Sequence, residues 1–155
     1  MPTPLRKIIT LDLLIEKGAC KDQRDTFAEH FPEGLAYGAE HIPELVERIG
    51  LLFDWEWAGY KLLPKYDLEA FKKVSNTAWL EFTKSVDPFL IAYNKGLDKA
   101  WSDYARDKEY LEAYDDYSKA VKQARDKYFE EQEPFRAVCV KTKALAFLIL
   151  FLDSP

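Results

Sequence analysis

From Leu68 onward the chain repeats one pattern of apolar positions, without the alternation of a strand. Phe71, Val74, Ala78, Phe82, Val86, Phe89, Tyr93, Leu97, Ala100 and Tyr104 follow one another at steps of three or four residues. The steps average about 3.67 residues, close to the natural turn of an α-helix, so the stripe stays on one side of a nearly straight helix. The wording repeats as well. Ala78-Trp79 returns as Ala100-Trp101, and Phe82 returns as Tyr93 and Tyr104. Lys73, Lys84, Lys95 and Arg106 form a basic row at the same spacing, on the polar flank of the stripe. An eleven-residue repeat of this kind holds one aromatic seam in register along a helix, and that seam needs a cover.

After Tyr104 the spacing changes. Leu111, Tyr114, Tyr117, Val121, Ala124 and Tyr128 come closer to a heptad, which predicts a helix winding around a partner, in the same chain or in a second copy. Two prolines punctuate the region. Asp87-Pro88 is helix-start chemistry and predicts a kink or a tight break near 85–88. Glu133-Pro134 predicts the end of the long helix. The apolar C-terminal helix, roughly 135–152, then folds back onto the seam. One helix over 88–132 would be about 68 Å long and implies an elongated arm or a dimer.

The first 64 residues predict shorter elements. Thr10 is an N-cap for a helix that presents Leu11, Leu14 and Ile15, and Gly18 stops it. A second helix spans about Cys20 to Phe31, with Phe27 and Phe31 on one face. "FPEG" is a turn, Pro43 opens a helix that Gly50 closes, and Pro64 ends another. Leu51, Trp55, Ala58 and Leu62 have the spacing of one buried stripe. The expected fold is therefore all-α. Short N-terminal helices (1–64) pack on a long helical hairpin or arm with eleven-residue periodicity (65–155), as one continuous domain.

Composition narrows the function classes. A net charge of −5 is not the footprint of a nucleic-acid binder, which would be basic. The most apolar run, "ALAFLILFL" at 144–152, is far shorter than the roughly 20 residues of a membrane span, so it reads as a buried helix. Cys20 and Cys139 are isolated, which is no disulfide framework and points to a reducing, intracellular setting.

Candidate chemistry is thin. Cys20, His30 and His41 lack any compact metal-ligand spacing. Neither cysteine has a readable base or positive environment, so both are expected to be buried structural residues. Asp54 and Glu56 are two apart and point to different helix faces. Asp115-Asp116 reads as a solvated pair. No glycine-rich phosphate loop is present. The basic row interleaved with aromatics suits single-stranded nucleic acid, but Glu81, Asp98, Asp103 and Asp107 cancel its field and predict a salt-bridged surface instead. No catalytic residue, cofactor or metal is therefore expected. Trp79, Trp101, Tyr110, Tyr114 and Tyr117 remain as an outer aromatic row for protein contact, unless they are core against the C-terminal helix.

Three stretches resemble a known group: "GACKDQRDTFAEHFPEG" (18–34), "LFDWEWAGYKLL" (52–63) and the units "AWLEF", "FLIAY" and "AWSDY". Together they resemble small phage and prophage proteins with a GACxxQ…F…F segment, a "DW" helix and tandem AWxEY-type repeats. The resemblance covers most of 10–130, and the repeats are degraded after Tyr110. It implies a phage or mobile-element protein in the cytoplasm of a host bacterium. Small accessory proteins of that kind bind and block host proteins, defence systems among them. No residue role carries over. The expected function is non-enzymatic inhibition of a host protein, such as a CRISPR or other anti-phage defence effector. The rivals are a self-associating assembly protein or homodimer, a nucleic-acid binder, and an enzyme whose site has no recognisable signature.

Overall fold

A computed structural model describes residues 7–106 and 110–154, apart from the side chains of residues 7 and 110–113. It is an all-α protein dominated by two long helices, α5 (Lys65–Arg106) and α6 (Tyr110–Asp153). The chain forms two compact units. One is Met1–Trp79 with Val138–Pro155, and the other is Leu80–Ala137.

The first unit opens with strand β1 (Lys7–Ile9) and helix α1 (Leu11–Glu16). Thr10 caps α1 as its residue type predicts: the hydroxyl accepts from the Leu13 N–H at 3.1 Å. Gly18 ends the turn with φ of 79°, in the left-handed region that glycine enters without cost. Helix α2 (Lys21–His30) follows, then strand β2 (Leu35–Tyr37), which pairs antiparallel with β1 and sets Ile8 opposite Ala36. The helix-and-turn reading of this stretch misses both strands. Three residues give too few alternations for a period of two to register. Helix α3 (Ile42–Ile49) has Pro43 in its first turn and Gly50 at its close, as expected. Helix α4 (Trp55–Leu62) begins at an Asp54 cap, whose carboxylate accepts from the Trp57 N–H at 2.9 Å. That start leaves Leu51 outside the helix, exposed in the preceding turn, so it does not join the buried stripe of Trp55 and Ala58.

The helix end expected at Pro134 and the tight break expected near 85–88 are corrected. Helix α5 runs through Pro88 without a break, and α6 runs through Pro134. A helix over 88–132 does not exist, because α5 ends at Arg106 and α6 begins at Tyr110. The C-terminal run is not a separate helix but the last part of α6. A proline deprives the carbonyl four residues earlier of its donor. Here those carbonyls belong to Lys84 and Glu130, which are exposed, as both prolines are. Water can serve them, so a local helix-breaking signal is overridden by position.

The core of the first unit joins α6 to the N-terminal elements. Tyr37, Ile49, Phe71, Phe147 and Leu148 are its largest fully buried side chains. Burial of an aliphatic or aromatic side chain of this size stabilises by roughly 1.5–3 kcal/mol. Two polar groups inside are satisfied: the Tyr37 hydroxyl donates to the Leu148 carbonyl at 3.0 Å, and Trp55 Nε1 donates to the Gly50 carbonyl at 2.8 Å. The α5 stripe departs from expectation at one point. Val74 is 39% exposed, and Ser75, at 4%, takes the inward position. Stepping 71, 75, 78 rather than 71, 74, 78 is equally helical, so apolarity alone selects the wrong neighbour.

The second unit is an antiparallel helix pair. Phe89 lies by Phe135, Tyr93 stacks on Tyr128, and Trp101 meets Tyr117 edge-on, with centroids 5.8, 5.3 and 6.1 Å apart. Gly96 faces Ala124 across the pair. Positions that rise along α5 fall along α6. The seam from Tyr93 to Tyr104 is thus covered by the heptad-like face of α6, within one chain.

Candidate functional site

A three-ring cluster stands out in the second unit. Trp101 and Tyr104 are three apart on α5, and Tyr117 of α6 closes on both. The centroid separations are 5.7 Å for Trp101–Tyr104 and 5.4 Å for Tyr104–Tyr117. The pairs are tilted or edge-on, the arrangement that ring quadrupoles favour. The cluster is not closed over: Trp101 remains 58% exposed, and Tyr114, one turn before Tyr117, is 54% exposed. Lys99, Asp103 and Arg106 form a charged rim, with Asp103 between the two cations. The Lys99 ammonium donates to its carboxylate and holds it below the usual carboxylate range. An aromatic centre inside a charged border is the anatomy of a protein-contact patch.

The expected row of five residues is therefore divided. Trp101 and Tyr117 are brought together, and Tyr114 lies on the same helix as Tyr117. Tyr110 begins α6, and its side chain lies outside the described residues. Trp79 belongs to the first unit, where Lys143 Nζ sits 5.9 Å from its ring centre. Lys143 is held in turn by Glu56 of α4 at 2.7 Å. That pair ties α4 to α6 across 87 residues of sequence and has no local signature.

The other candidate groups take structural parts. Asp54 caps α4, and its backbone N–H donates to Gln23 Oε1 at 2.8 Å. His41 Nδ1 accepts from the Gly38 N–H. Cys139 is buried, and burial pushes its thiol pKa up, against the pull of nearby Lys143. Cys20 is exposed, not buried as expected. Among the described residues, no three His, Cys, Asp or Glu side chains are placed to hold a metal ion. Nor, among the described residues, is any helix long and apolar enough to cross a membrane. The basic row is not the salt-bridged surface expected. Arg106 pairs with Asp103, while Lys73, Lys84 and Lys95 form no ion pair among the described residues.

Each unit has a hollow lined by aromatic side chains. The first unit has an almost wholly apolar, partly open hollow of about 40 Å³ between Leu14, Phe27, Ile49, Trp55 and Phe147. It has room for little more than a water-sized guest. The second unit has a groove of about 230 Å³ over Phe89, Tyr93, Gly96 and Tyr128. Compared with family models, with curated proteins and with solved structures, the chain matches none.

Proposed function

We propose that this chain is a non-enzymatic protein-binding protein of phage or prophage origin. It acts in the cytoplasm of a host bacterium, where it inhibits a host protein such as a CRISPR or other anti-phage defence effector. The observation that carries the protein-binding part is the half-open Trp101–Tyr104–Tyr117 cluster with its charged rim. Tryptophan and tyrosine dominate the energetics of protein contacts. The phage context and the inhibitory role rest on the resemblance of residues 18–34, 52–63 and the eleven-residue units.

The test is recovery of a partner with the tagged full chain from a bacterial lysate, alongside the double variant W101A/Y117A. A defence effector recovered at one-to-one ratio by the native chain, inhibited by it, and lost with the variant is the expected result. Recovery of no stoichiometric partner, or of one retained by the variant, rejects the reading.

A further inference from the structure

The outward face of α5 in the second unit carries charges that read the same from either end with signs exchanged. Ile91 is the centre. Four residues to either side stand Asp87 and Lys95, and seven residues to either side stand Lys84 and Asp98. Steps of three and four keep all five on one helix face. All five are exposed, and Ile91, a bulky aliphatic side chain, is 55% exposed. The four charges are also idle. Lys84 and Asp87 are three apart, as are Lys95 and Asp98, yet none of them forms an ion pair among the described residues. Elsewhere in the unit Lys99–Asp103, Lys122–Asp126 and Arg136–Glu133 pair along their helices.

We infer that this face is the contact between two copies of the chain, packed antiparallel about a two-fold axis through Ile91. On that axis Ile91 meets its own copy. Lys84 lies against Asp98 of the second copy, and Asp87 lies against Lys95. Each pairing occurs twice, as an isologous interface requires. A parallel alignment would set Lys84 against Lys84 and Asp98 against Asp98, so the charges select the antiparallel one. A foreign partner has no need of a face that mirrors itself; a second copy does. The face from Leu80 to Ser102 is about 33 Å long at 1.5 Å per residue, so the interface is small. Association in the micromolar range is expected. The contact does not use the Trp101–Tyr117 cluster, so it stands or falls apart from the proposed function.

The experiment is light scattering on the size-fractionated full chain, over a concentration series reaching about 500 µM. The expected mass climbs from 18.1 kDa towards twice that value. Ile91→Glu, which brings two like charges together on the axis, returns the mass to the monomer. Lys84→Glu and Asp98→Lys each weaken association about tenfold or more, and the double variant K84E/D98K restores it. Those two positions lie about 21 Å apart along one helix, so restoration reports a contact between chains. Far-UV circular dichroism checks that each variant is folded. A monomer throughout, a dimer indifferent to Ile91→Glu, or single variants that the double one does not rescue would each overturn the inference.

Discussion

Gly59 has no side chain because the ring of Phe71 occupies its place. A Cβ built on Gly59 would fall 2.7 Å from Cζ of that ring and closer still to Cε1. Phe71 is fully buried and cannot turn away.

Gly59→Ala should therefore destabilise, although alanine is the better helix former by about 1 kcal/mol. Overpacking of this kind costs about 1–3 kcal/mol, so the melting temperature should fall by several degrees. Gly96→Ala is the contrast. Its Cβ would meet Ala124 at 3.5 Å, an ordinary contact, so the same substitution should raise stability by about 0.5–1 kcal/mol. Thermal melts of the two variants check both signs. A stabilised Gly59→Ala protein would disprove the packing at Phe71.

Tyr37 should make the fold sensitive to alkali. Burial raises its phenol pKa well above the ordinary 10.0. Above about pH 10 the unfolded chain releases this proton and the folded chain keeps it, so unfolding gains as pH rises. The stabilising contribution is complete below that pH and is lost progressively above it. Tyr37→Phe also gives up the bond to the Leu148 carbonyl, at a cost of about 1 kcal/mol near neutral pH. Its stability should fall less steeply than the native protein's between pH 10 and 11.5. Denaturant midpoints across that window decide the matter, and parallel curves would refute it.

The two thiols should differ sharply. Cys20 is exposed, while Cys139 is buried with its pKa pushed up by that burial. A thiolate is the reactive form, so one thiol per chain should label quickly with Ellman's reagent and the second only on unfolding. Prompt reaction of both in native buffer would contradict the packing of α6 around Cys139.

Much of the fold is legible in the sequence because its signals are local. Thr10, Gly18, Pro43 and Gly50 each do what their residue type favours, and the seam from Phe71 to Tyr104 needs only helical spacing. The break expected at Pro88 and the helix end expected at Pro134 mislead for the same reason. The effect of each proline depends on which side of the helix faces water, which only the tertiary structure decides. The Trp101–Tyr117 contact requires knowing which position of α6 lies opposite which position of α5. The Lys143–Glu56 pair is illegible for want of any short-range pattern. The sign-exchanged charges around Ile91 were visible throughout, but their idleness appears only once the paired charges are known.

The order in which the chain is made matters for this architecture. The buried cluster of the first unit draws on residues from Ile9 to Phe71 and again from Ala144 to Leu152. A ribosome adding about 5–20 residues per second needs roughly 4 to 15 s to travel between those two stretches. Throughout that interval Phe27, Trp55 and Phe71 wait without Phe147 and Leu148. A nascent chain in this state exposes sticky surface, and chaperones that hold emerging polypeptides would find it a natural client.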